Sequence, residues 1–138
     1  MLLDAKPPQP RTGIRRYISL PRLLLLVVAV ASLAVLLGYR FWNYSEERTV
    51  ARFLTTLSQG AYPEAYRLWQ PSPSYTYADF LRDWGERGDY GKIREFEILG
   101  SRSKGRRTVI VTVRINHVDP PLDLLVDRET KGMAYSIF

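Results

Sequence analysis

An α+β domain behind a single membrane-spanning helix is the fold class this sequence predicts. Three observations carry the prediction. Leu23 to Tyr39 is a run of seventeen uncharged, mostly aliphatic residues near the N-terminus. Residues 45–84 then show apolar positions at helical spacing, and residues 94–138 show apolar positions alternating with period two. Helical segments first and strands afterwards place the helices on one face of an antiparallel sheet.

Residues 1–20 read as a disordered basic tail, because Pro7, Pro8 and Pro10 block helix and sheet and few apolar residues are available to bury. Residues 21–42 read as the membrane helix, with Leu23, Leu26, Val30, Leu33, Leu37 and Trp42 as anchor positions. Seventeen helical residues reach about 25 Å at about 1.5 Å per residue, near the lower limit for a hydrocarbon core of about 30 Å. Ile18, Leu20, Phe41 and Trp42 extend the apolar length. Pro21 suits a first helical turn, and Tyr39, Phe41, Trp42 and Tyr44 suit a membrane–water interface. Lys6, Arg11, Arg15, Arg16 and Arg22 against Asp4 give residues 1–22 a net +4 of the chain's +6. Arg11, Arg15, Arg16 and Arg22 are thus the topogenic charges, and they put the N-terminus in the cytoplasm and the C-terminal domain in the periplasm or outside the cell. A cleaved signal peptide is the rival reading, with Ala29-Val30-Ala31 as its small-x-small site. The apolar run continues through Leu33, Val35, Leu36 and Leu37, and bulky residues follow, which favours an uncleaved signal-anchor. The sequence holds no cysteine, so neither disulfides nor a lipoprotein anchor is expected.

The first helix of the outer domain begins at Ser45 as cap, with Glu46 and Glu47 favourable in its first turn. Val50, Phe53, Leu54 and Leu57 form its apolar face, and Gly60 stops it. A second helix starts near Pro63, with Tyr62, Ala65, Tyr66 and Trp69 on one face, and Pro71 and Pro73 end it. Thr76 and Asp79 resemble a capping box for a third, whose face is Tyr77, Phe80, Leu81 and Trp84 and whose stop is Gly85. Arg94–Leu99 is the first strand expected, and Ser101–Arg107 a basic turn. Thr108–Asn116 carries Val109, Val111, Val113 and Ile115 on one face. Leu122–Asp127 turns Leu122, Leu124 and Val126 inward, Arg128–Gly132 is a turn, and Met133–Phe138 is the last strand.

The segment Phe53-Leu54-Thr55-Thr56-Leu57-Ser58-Gln59-Gly60-Ala61-Tyr62-Pro63-Glu64-Ala65-Tyr66 looks like the helix–glycine–aromatic–Glu-Ala-Tyr hairpin of the NTF2-like superfamily. Leu124-Leu125-Val126-Asp127, a turn with Gly132, and Tyr135-Ser136-Ile137-Phe138 look like its closing hairpin, although Met133 and Ala134 stand where a Trp is frequent. The resemblance covers residues 45–138. It implies a cone of three helices packed on a curved four-stranded antiparallel sheet. The superfamily includes isomerases, dehydratases, transport factors and secretion-system subunits, so the fold alone names no activity. An anchor followed by such a domain resembles, in layout, the bitopic inner-membrane subunits of type IV secretion systems.

Enzymes of that superfamily place an acid, a base or a Tyr inside the cone. The candidate catalytic residues here are Tyr62, Tyr66 and Asp79, with Tyr77 beside them, and the only histidine, His117, near Asp119. Each has an ordinary structural alternative: core tyrosines with hydroxyls at the rim, a helix cap, a solvated strand end. No metal site or cofactor is expected from one histidine and no cysteine; Asp79/Asp83 and Asp119/Asp123/Asp127 lack the loop spacing of a calcium site. Arg102, Lys104, Arg106 and Arg107 make a basic tip suited to an anionic partner or to a solvated turn that discourages edge pairing. Phosphate loops, nucleophile elbows and nucleic-acid motifs are absent from the sequence. The reading that follows is a single-pass membrane protein whose exported domain is a binding or assembly module. Its expected partners are the lipid bilayer and a protein, or a second copy through the sheet, and no nucleic acid. A small-molecule enzyme of isomerase or dehydratase type, using the cone pocket, is the alternative.

Overall fold

A computed structural model describes residues 7–9 and 19–136. The topogenic Arg11, Arg15 and Arg16, most of the tail, and Ile137 and Phe138 lie outside the described residues. The chain divides into two compact units, residues 1–37 and 38–138.

The first unit holds most of α1 (Leu20–Phe41), a helix of 22 residues with none buried. Ordinary soluble helices hide an apolar stripe; this one exposes aliphatic side chains all round. It is the one helix, among the described residues, long and apolar enough to cross a membrane. All six expected anchor positions fall on or directly after it, and Arg22 lies in its first turn. Val30→Arg should therefore cut the membrane-associated fraction severely, since a cation at mid-helix costs about 2.5–3.5 kcal/mol on insertion; carbonate extraction of membranes reads it directly.

In the second unit α2 (Tyr44–Ser58), α3 (Tyr62–Trp69) and α4 (Tyr77–Trp84) precede β1 (Phe96–Lys104), β2 (Thr108–Ile115), β3 (Leu122–Asp127) and β4 (Met133–Tyr135). The strands pair in sequence order, all antiparallel. This is the expected α+β class with helices and a four-stranded antiparallel sheet. Helix α2 packs across β1, β2 and β3, and α3 packs on α2, α4 and β4. Val50, Phe53, Leu54, Phe80, Trp84, Val109, Val111, Val113, Leu124 and Val126 are all at most 1% exposed and form one core.

The punctuation of the helices follows backbone chemistry. Gly60 takes φ 74° just past α2, where a side chain would be strained. Gly85 has ordinary dihedrals, yet a Cβ there would lie 2.3 Å from the Leu81 carbonyl oxygen that closes α4. Its role is close approach, not a left-handed turn. The capping box forms: the Asp79 amide donates to Thr76 Oγ1 (3.2 Å) and the Thr76 amide donates to Asp79 Oδ2 (3.0 Å). The Thr76 hydroxyl, donating to Asp79 Oδ2 at 2.8 Å, and then the Thr76 amide, with Arg82 contributing less, hold the Asp79 carboxyl below its usual range. A depressed carboxyl stabilises the fold above the unfolded-state pKa and loses that contribution as pH falls through the folded value. Thr76→Ala should cost about 1 kcal/mol near neutrality, and the gap in melting temperature between it and the parent should narrow below about pH 4.

Four expectations need correcting. Ser45 does not cap α2; Asn43 does, without a side-chain cap bond, and Glu46, in the first turn as expected, is buried. Strand β1 begins and ends later than Arg94–Leu99, and the turn shrinks from Ser101–Arg107 to Gly105–Arg107. A register shift between Ile98 and Gly100 turns Ser101 and Ser103 to the helix side, opposite Val111 and Val109. There they meet polar groups of α2, so their alternation is polar-in and invisible to a hydrophobic pattern. The last strand, expected over Met133–Phe138, stops at Tyr135 before Ser136, and Ile137 and Phe138 lie outside the described residues. Finally, the three helices and the sheet do not make the cone expected: they pack around the rings of Phe53, Trp69, Phe80 and Trp84.

Candidate functional site

The expected catalytic residues do not converge. Tyr62 starts α3 and is half-exposed; burial first, then Glu86 and Tyr77, pushes its hydroxyl pKa up. Tyr66 donates its hydroxyl to the Tyr75 carbonyl at 2.6 Å, and its ring packs 5.3 Å from both Tyr77 and Phe80. Asp79 is occupied as a cap and pairs with Arg82 at 2.6 Å. His117 is 75% exposed and lies 2.7 Å from Glu95, while Asp119 pairs with Arg114 at 3.2 Å, so the two do not form a dyad.

The space between helices and sheet is filled by rings. Phe53 lies 5.3 Å from Trp69, 6.2 Å from Phe80 and 5.1 Å from Trp84. Trp84 stacks between Tyr90 (4.9 Å) and Tyr135 (5.8 Å). The offset and edge geometries are the favourable ones for aromatic pairs.

At one edge of this stack is a polar cluster the sequence pattern missed. Tyr75 donates to Asp83 Oδ2 at 2.6 Å. The Tyr135 hydroxyl is buried beside that of Tyr75 without a well-formed hydrogen bond to it, and Trp84 Nε1 is buried without an acceptor among the described residues. Burial is the first cause raising the pKa of Tyr75, Tyr90 and Tyr135; the Asp83 charge adds to each. These hydroxyls stay protonated donors at any physiological pH. They come from a Pro-Ser loop, a Gly-rich loop and β4, and Asp83 from α4, so no local spacing unites them. Tyr135, two residues after inward Met133, is the member that alternation could have flagged.

A surface cleft of about 370 Å³ adjoins Tyr90 and is lined by Gly91, Lys92, Arg94, Glu95 and Asn116. Asn116 builds its floor: Oδ1 accepts from the Arg94 amide (2.8 Å) and Nδ2 donates to the Lys92 carbonyl (2.9 Å). That amide is fully engaged in holding backbone, which leaves the cleft's chemistry to Lys92, Arg94 and Glu95.

A second polar site lies at the other end of the domain. Glu46 is 3% exposed, with Lys131 Nζ 2.6 Å from Oε1 and Arg128 Nη1 3.5 Å from Oε2. Arg128 Nη2 also donates to Asn43 Oδ1 (2.7 Å) and Ser103 Oγ (2.8 Å), and Ser101 donates to Glu47. The start of α2, the end of β1 and the β3–β4 turn are thereby joined. The basic tip follows directly: Arg102 pairs with Asp123 (3.1 Å) and Arg107 with Glu129 (2.9 Å).

Among the described residues no three His, Asp or Glu gather to hold a metal ion. Asp123 accepts from Thr112 and pairs with Arg102, and Asp127 accepts from the Glu129 and Thr130 amides at 2.9 Å, which lowers its pKa. On the outer sheet face Ile110, 5% exposed, stands in register with Arg102 and Leu125, and the flanking positions are Thr108, Thr112, Asp123 and Asp127. Compared with family models, curated proteins and solved structures, the chain matches none.

Proposed function

We propose that the protein is a single-pass membrane protein, N-terminus in the cytoplasm, that presents an NTF2-like domain outside the cytoplasm as a binding or complex-assembly module. The observation that carries this reading is the pairing of an all-exposed apolar helix with a domain whose interior is occupied by Phe53, Trp69, Phe80 and Trp84. A filled interior leaves the surface as the place where such a domain works.

The enzyme reading retains one supporting observation, the buried donors around Asp83 with raised tyrosine pKa values. It needs an open cavity beside them, and the aromatic stack occupies that space. A homodimer through the sheet faces the polar outer surface around Ile110; light scattering on the detergent-solubilised chain separates monomer from dimer.

Topology is tested with reporter fusions at Phe138. Alkaline phosphatase there should be active and green fluorescent protein dark, with the reverse for fusions at Met1. Fluorescence at Phe138 would overturn the orientation and the exported module with it.

A further inference from the structure

We propose that the basic β1–β2 tip, with the exposed aromatic residues at the start of the second unit, is a contact surface for anionic lipid headgroups. The inference rests on the reading of α1 as a membrane anchor and adds a second, electrostatic contact to it.

The argument begins with connectivity. Asn43 is two residues beyond Phe41, the last residue of α1, so at most about 7 Å of chain separates them. Asn43 is not loose. Arg128 Nη2 donates to its side chain at 2.7 Å, and Ser103 does so at 3.3 Å. The position of Ser103 is thus fixed beside the point where the chain leaves the apolar helix. Strand β1 runs toward that point and ends just past it at Lys104, where the turn Gly105–Arg107 begins. One strand residue, Lys104, at about 3.3 Å, and then the turn Gly105–Arg107 lie beyond Ser103. A Debye length is about 8–10 Å in physiological salt, so the tip's charges act on headgroups within that reach.

Composition agrees with placement. Arg40, Lys104, Arg106 and Arg107 are all exposed at this end. Arg106 makes no ion pair among the described residues, whereas Arg107 shares Glu129. Lys131 and Arg128 neutralise the buried Glu46 and also cancel an acid that would otherwise repel an anionic surface. Tyr39, Trp42 and Tyr44 are 85%, 69% and 53% exposed, an arrangement that wastes large rings in water and suits the headgroup layer.

The test uses the full chain in nanodiscs of phosphatidylcholine alone and of phosphatidylcholine with phosphatidylglycerol, read by backbone hydrogen exchange. Residues 104–108 should exchange at least about five-fold more slowly in the anionic discs, the factor one basic side chain near an anionic surface contributes. High salt should erase the difference, and so should Arg106→Glu with Arg107→Glu, while Val109–Val113 in β2 stays equally protected and reports an intact fold. Equal exchange of residues 104–108 in both discs, with α1 protected, would overturn the headgroup contact and leave the anchor standing. Loss of α1 protection in both discs would overturn the anchor itself. Equal slowing by inorganic phosphate on the detergent-solubilised chain would also overturn the proposal, because it would mark a small-anion site in place of a lipid surface.

Discussion

Phe53→Ala is expected to destabilise the outer domain by about 3–5 kcal/mol, the usual cost of removing a buried phenyl ring. Phe53 is fully buried on α2 and touches Trp69, Phe80 and Trp84, one ring from α3 and two from α4. The lost ring leaves a void that Trp69 and Trp84, paired with each other at 5.7 Å, and Phe80, packed on Tyr66 and Tyr77, cannot close without breaking those pairings. A domain of about a hundred residues has about 5–15 kcal/mol of total stability, so this change takes a large share of it. Urea unfolding of the full chain in detergent, followed by tryptophan near-ultraviolet circular dichroism, should show the midpoint falling with little change in slope. Phe53→Leu should recover much of the loss, because a branched aliphatic side chain refills part of the space. An alanine variant within about 1 kcal/mol of the parent would mean that the interior is loosely packed, and would reopen the cavity that the enzyme reading needs.

The helices were legible because each carries its own punctuation. Gly60, Pro63, Pro71, the Thr76–Asp79 box and Gly85 mark their ends to within a residue or two, and apolar spacing names their buried faces. Strands β2 and β3 were legible for the same local reason, alternation against one covered face. Strand β1 was legible only in its first half. Its second half faces polar groups of α2, and that is a tertiary fact with no echo in the hydrophobic pattern. Ile93, buried at 3% outside any helix or strand, escaped for the same reason.

The polar sites were less legible than the fold. Glu46 reads in sequence as a first-turn acid favourable to the helix dipole, and only the approach of Lys131 and Arg128, 85 and 82 residues later, makes its burial affordable. Tyr75, Asp83, Tyr90 and Tyr135 come together across four separate segments. Whereas a helix is specified by neighbours in the chain, a polar cluster of this kind is specified by topology, and topology has to be known first.

Lys131→Ala is expected to lower stability by about 2–3 kcal/mol, and Glu46→Gln by clearly less. The asymmetry follows from exposure. Glu46 is 4% exposed at its side chain, whereas Lys131 is 34% and Arg128 22% exposed. Removing the lysine strands a carboxylate in the interior with only the 3.5 Å contact to Arg128. Removing the carboxylate's charge leaves cations that can turn toward water, so the cost is smaller. The double variant should be more stable than Lys131→Ala alone, because the group that suffers from the missing lysine has lost its charge. A double-mutant cycle on the melting curves of the full chain in detergent measures this, with an expected coupling of at least about 1 kcal/mol. Strict additivity would show that the three charges act independently. The start of α2 would then be held by the Asn43, Ser101 and Ser103 hydrogen bonds alone, and Asn43→Ala in place of Lys131→Ala would release it.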